Sequence, residues 1–91
     1  AAALAPPRPD PARESVTLSF TLARAGETRL EVFDLAGRRM RRLVGGTMMA
    51  GPHETGWNLR DETGRAVPAG VYLARLVAPG TSGVRRFVVL R

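Results

Sequence analysis

Val16-Thr17-Leu18-Ser19-Phe20-Thr21-Leu22 decides the fold class. Val16, Leu18, Phe20 and Leu22 fall on one side of an extended chain, and Thr17, Ser19 and Thr21 fall on the other. Strict period-two alternation with β-branched and aromatic residues means a strand with one dry face and one wet face. Downstream the pattern repeats. Thr28-Arg29-Leu30-Glu31-Val32-Phe33 alternates again and stops at Asp34-Leu35-Ala36-Gly37, where an aspartate can bond its own backbone and a glycine can take positive φ. Arg38 to Val44 reads as the return strand of a hairpin ended by Gly45-Gly46. Gly51 to Leu59 is a fourth extended segment, with Trp57 as its large apolar anchor. Asp61 and Gly64 mark a polar turn, and Pro68 and Gly70 punctuate the entry to Val71–Val77. Pro79 to Gly83 turns the chain into a last strand over Val84–Leu90.

No segment shows the 3.6-residue spacing of an amphipathic helix. Short strands at intervals of about ten residues, separated by Gly/Pro/Asp turns, predict an all-β fold: a small antiparallel β-sandwich of about six strands. Phe20, Val32, Trp57 and Tyr72 are its expected core anchors. Upstream, Pro6, Pro7, Pro9 and Pro11 remove backbone donors and favour extended chain. Residues 1–13 are therefore predicted to form a Pro-rich extended arm or linker outside the core, and residues 14–91 the sandwich.

Composition closes off several functions. Ninety-one residues suit one domain. With no cysteine there is no disulfide framework, thiolate nucleophile or cysteine-ligated zinc. No stretch approaches the about 20 apolar residues of a membrane-spanning helix. The start at Ala1-Ala2-Ala3 suggests a processed product or a piece of a longer protein. The net charge of +6 comes from fourteen arginines and no lysine against eight acids, which raises the question of a polyanionic partner.

Position answers it. Arg38, Arg39, Arg41 and Arg42 invite a phosphate-binding reading, but strand alternation is expected to send Arg39 and Arg41 to one face and Arg38 and Arg42 to the other. No exposed aromatics accompany them, so no nucleic-acid partner is expected and the arginines serve solubility and edge protection. His53, with Glu54, Asp61 and Glu62, makes a thin ligand set for a metal, because adjacent strand residues diverge. Ser15, Ser19 and Ser82 lack a histidine in the strand–turn–helix setting of a nucleophile, and no Gly-rich phosphate loop precedes a helix. The expectation is a protein that is not an enzyme and needs no cofactor or metal. Met48-Met49 reads as loop packing or a small contact patch.

Several segments occur in a recognisable order: Pro9-Asp10-Pro11-Ala12, Leu30 to Arg39, Ala50-Gly51-Pro52-His53, Trp57-Asn58, Asp61 to Arg65, Pro68-Ala69-Gly70-Val71-Tyr72 and Arg86 to Leu90. Over residues 9–91 the chain resembles the FlgD-type immunoglobulin-like domain and the related type A C-terminal sorting domains of the type IX (Por) secretion system. The resemblance implies a small antiparallel immunoglobulin-like β-sandwich of six to seven strands, in a bacterial domain that is secreted or held at the cell surface after transit through the periplasm, with peripheral contact to the outer membrane. Its partners would be proteins of the secretion machinery. The terminal segment Arg85, Arg86, Phe87, Val88, Val89, Leu90 and Arg91 would then be the sorting signal, and Asp34, Gly37, Asp61, Gly64, Pro68 and Gly70 the family turn motifs. The alternative expectation is a structural subunit or scaffold module of an extracellular assembly. It would be a homo-oligomer joined through strand edges and the N-terminal arm.

Overall fold

The computed structural model describes residues 3–91. Six strands follow in chain order: β1 (Val16–Leu22), β2 (Gly26–Asp34), β3 (Arg39–Met48), β4 (Gly51–Trp57), β5 (Gly70–Ala78) and β6 (Thr81–Val89). β1 and β4 form a two-stranded sheet; the other four form a sheet in the order β3-β2-β5-β6. All strand pairs are antiparallel, and the described residues contain no helix. The two sheets make an immunoglobulin-like sandwich.

The inward side chains of each strand supply the core. Val16, Leu18, Phe20 and Leu22 come from β1, Leu30 and Val32 from β2, Tyr72, Ala74 and Leu76 from β5, and Phe87 and Val89 from β6. Trp57 closes one end, its ring edge-on to Tyr72 and Phe87 at centroid distances of 6.0 and 6.1 Å. Such aromatic pairs add packing energy beyond the area they bury.

Two strands run past the turn residues expected to bound them. β2 begins at Gly26, and β3 continues through Gly45-Gly46 to Met48, because both glycines face β2 at Arg29 and Thr28 and extend its ladder. The final turn is tight: Ala78 pairs with Thr81, leaving Pro79 and Gly80 as its two central residues.

The Pro-rich stretch does not stand apart from the core. Ala5 N–H donates to the Ser19 carbonyl (2.9 Å), and Thr21 N–H donates to Ala3 (2.8 Å). Further along, Arg8 and Thr17 form an isolated antiparallel bridge, so residues 3–8 run along the outer edge of β1. The chain then crosses to the other sheet. Ala12 N–H donates to the Val88 carbonyl and Leu90 N–H donates to Ala12, both at 2.8 Å. Leu4 and Ala12 are core residues. The reason is steric as well as hydrophobic: Gly83 on β6 has no side chain, and a Cβ built there would stand 3.3 Å from the Cβ of Leu4. Composition alone pointed away from the core because prolines obscure the single apolar anchor among the alanines. Ala1 and Ala2, also assigned to the arm, lie outside the described residues.

Candidate functional site

The sheet order makes β6 an edge strand. Its register with β5 is unbroken from Gly70 opposite Val89 to Ala78 opposite Thr81. In an antiparallel ladder, alternate residues turn both backbone groups toward the partner and the rest turn both away. The N-terminal stretch shows which are which. Val88 donates its N–H to Asp10 Oδ1 (3.0 Å) and accepts from Ala12, so Val88, and with it Arg86, Val84 and Ser82, points its backbone away from β5. No backbone partner covers Ser82, Val84 or Arg86 among the described residues. The side chain of Val84 lies 59% exposed beside this open edge.

The seven terminal residues divide into three roles. Phe87 and Val89 are buried in the core. Arg85 and Arg91 are staples: Arg85 Nε–H donates to the Leu4 carbonyl at 2.7 Å. Arg91 donates through Nε and Nη2 to Val67 (3.0 and 2.6 Å) and through Nη2 to Leu59 (3.2 Å). Only Arg86, Val88 and Leu90 keep side chains at least partly exposed without such a tie. The accessible part of the terminal segment is therefore the edge and outer face of β6. It begins earlier in the chain than the charged Arg85–Arg91 stretch suggested, at Ser82 and Val84. The alternation of the last strand, with Gly83 facing inward, is the signal that could have located it.

The FlgD Ig-like domain family matches residues 10–82. This chain belongs to that family. Among solved structures it is similar to PorZ of Porphyromonas gingivalis, an essential bacterial surface component of the type IX secretion system (26% identity, TM-score 0.66). That similarity covers 93% of this chain and 11% of PorZ. It is also similar in fold to dimeric latent PorU of the same organism (24% identity, TM-score 0.72, 92% of this chain and 9% of PorU). A third similar fold is FlgD of P. aeruginosa (23% identity, TM-score 0.61, 82% of this chain and 60% of FlgD). The chain thus spans about a tenth of the two Por proteins. No curated protein matches it.

Two turns of this FlgD Ig-like domain are held through carboxylates. Asp34 Oδ1 accepts from the Arg38 backbone and Oδ2 from Arg38 Nε, each at 2.9 Å, while Gly37 takes a left-handed φ of 84° that a side chain would disfavour. The Arg38 backbone N–H above all holds the Asp34 carboxyl below its usual pKa. Asp61 Oδ1 accepts from the Thr63 hydroxyl and from the backbones of Thr63 and Arg65, at 2.7, 2.9 and 3.1 Å. Its pKa is lowered as well, chiefly by the Thr63 hydroxyl. Tyr72 donates its hydroxyl to the Pro68 carbonyl at 2.6 Å, which ties the loop entry to β5. Burial raises the Tyr72 pKa, with the Asp34 charge adding to it.

The arginine cluster departs from simple alternation. The register between β2 and β3 shifts twice, between Leu30 and Glu31 and between Val32 and Phe33, so Leu43 and Met40 are extra residues on β3. Each bulge resets which residues share a face. Arg39 and Arg42, expected on opposite faces, both reach Glu31 Oε2, at 3.0 and 3.3 Å. Glu31 is only 8% exposed. Its desolvation raises the pKa, but the two guanidinium groups outweigh this and hold it below the usual glutamate value. His53 stacks on Phe20 at 5.4 Å and its Nε2–H donates to the Met49 carbonyl at 2.7 Å. Glu54 faces Arg8 instead, at 3.7 Å, so the imidazole and the neighbouring carboxylate do not converge.

Proposed function

We propose that the protein is a non-enzymatic C-terminal sorting and cell-surface attachment domain of a secreted bacterial protein, recognised by the type IX secretion machinery through the open edge of β6. The observation that carries this reading is the unpaired, unbulged backbone at Ser82, Val84 and Arg86, in a domain 26% identical to part of a type IX surface component. An exposed edge offers backbone donors and acceptors to an extended segment of another protein, with the alternate side chains setting specificity. A FlgD-like sandwich is a non-catalytic fold, which fits a domain that works by being bound. In the alternative, a scaffold module joined through strand edges and the N-terminal arm, the arm's share would need residues 3–12 to leave the partners they have here, with Leu4 leaving the core. The sorting reading requires no such release.

The test is export of a passenger carrying a signal peptide and this domain in a type IX secretor. Val84→Pro removes one edge N–H that β5 does not use, and Arg86→Glu reverses the charge beside it. Both variants are expected to stay folded by circular dichroism and to leave most of the passenger inside the cell. Export at the unmodified level with both variants would overturn the reading.

A further inference from the structure

Arg41 is unlike the other arginines of its cluster. Of the fourteen in the chain only Arg41 and Arg85 are half-buried, and Arg85 donates to Leu4 at 2.7 Å. Arg38, Arg39 and Arg42 each pair with a carboxylate. Arg41 has no carboxylate partner among the described residues, and a single long bond, Nη1–H to the Asp61 carbonyl at 3.3 Å, leaves most of its donors unused. The cause lies in the β3 register. Val44 faces Leu30, and simple alternation would put Arg42 opposite Val32; the bulge at Leu43 places Arg41 there instead. Since Val32 points into the sandwich, the bulge aims Arg41 toward the space between the sheets.

That space is a cavity of about 310 Å³, open to solvent and lined by Ser15, Arg41, Leu43, Gly56, Trp57 and Asn58. No acidic side chain lines it. Asn58 spends its Oδ1 on the Arg60 backbone N–H (3.2 Å), which leaves its amide N–H groups to donate. The Ser15 hydroxyl has no protein partner among the described residues. The polar side chains therefore offer donors around one half-buried positive charge, set against the apolar surface of the partly exposed Leu43. We infer that this cavity binds a carboxylate carried on a short apolar stem, the carboxylate seated on the Arg41 guanidinium and the stem against Leu43. A carboxylate matches the guanidinium fork in geometry and charge. A phosphate dianion would keep one charge uncompensated in a cavity with a single cation, and a neutral ligand would leave the guanidinium without a counter-ion.

The experiment is a titration of the isotope-labelled 91-residue chain, followed by amide NMR at constant pH and ionic strength, with isobutyrate, isobutyramide and inorganic phosphate as probes. Isobutyrate is expected to give saturable shifts at Arg41, Gly56 and Asn58, and isobutyramide none. Arg41→Gln should weaken isobutyrate by about tenfold or more, and Arg41→Lys, which keeps the charge but loses the fork, by less. Arg42→Gln, on the same strand but outside the cavity, should leave the affinity unchanged. Equal binding of the amide, tighter binding of phosphate at the same amides, or isobutyrate affinity unchanged by Arg41→Gln would each overturn the assignment.

Discussion

The four-stranded sheet has two edges, and they are built differently. β3 is bulged at Leu43 and Met40, its outward arginines converge on Glu31, and part of its backbone is already covered: Arg42 N–H donates to Glu62 Oε1 at 2.6 Å, and Glu62 N–H donates to the Met40 carbonyl at 3.1 Å. β6 has no bulge along its ladder with β5, and its cover is confined to the end where Asp10 and Ala12 meet Val88 and Leu90. Bulges, charge and covering loops are the usual devices that stop edges from pairing with other chains. One edge is interrupted and partly covered between Met40 and Leu43 and the other is open between Ser82 and Arg86, and the difference resides in three residues, Met40, Leu43 and Glu62, that twist or cover β3 and have no counterpart on β6.

The largest effect comes from the inner faces of the two edges. Phe87 on β6 is buried against Trp57 and Tyr72, whereas Met40, the bulged residue of β3, is only partly buried against the core. Phe87→Ala should cost about 3–5 kcal/mol, a large share of the stability of a domain of this size, and Met40→Ala well under half of that. Urea denaturation followed by tryptophan fluorescence measures both through Trp57. Equal losses would mean that the bulged edge is packed as tightly as the regular one.

A smaller effect isolates the cover of β6 and β1. Leu4→Ala removes the apolar anchor that sits over Gly83, and should cost about 2–3 kcal/mol. Hydrogen exchange should quicken at Thr17 and Thr21, whose N–H groups donate to Arg8 and Ala3, and at Leu90, which donates to Ala12. The amides of β3 should keep their protection. Uniform quickening throughout the sheet would show that the arm is part of the global unfolding unit, and not a local cover.

These contrasts were unevenly legible in the amino-acid order. The strands were readable because Val16–Leu22 and Thr28–Phe33 alternate without interruption, and the Asp34–Gly37 turn because aspartate and glycine there have few other uses. The bulges were not, since Arg39-Met40-Arg41-Arg42-Leu43 presents no period to follow. An extra residue becomes visible only through the register of a neighbouring strand, and with it the meeting of Arg39 and Arg42 at Glu31 and the inward turn of Arg41. Leu4 was hidden for a different reason. One leucine among alanines and prolines has no periodicity, and its burial depends on Gly83, seventy-nine positions later in the chain.

The smallest expected effect separates the two edges by pH. Three carboxyls have lowered pKa values, Glu31, Asp34 and Asp61, and all three support β3 or the turns beside it. A group whose folded pKa lies below its unfolded value stabilises the fold fully above the unfolded value, and that contribution disappears as pH falls through the folded one. The unperturbed values are 4.5 for the glutamate and 3.8 for the aspartates, so stability should be flat above about pH 5 and decline below about pH 4.5. Glu31→Gln should lower stability at neutral pH, where Arg39 and Arg42 lose their shared charge, and flatten the acid decline. Chemical denaturation at a series of pH values gives the slope, and amide exchange under the same conditions locates it. Protection should fall first in β3 and the Asp61 turn while the β5–β6 ladder holds. Loss beginning in β6 would show that the acid-sensitive contacts are on the open edge and not on the bulged one.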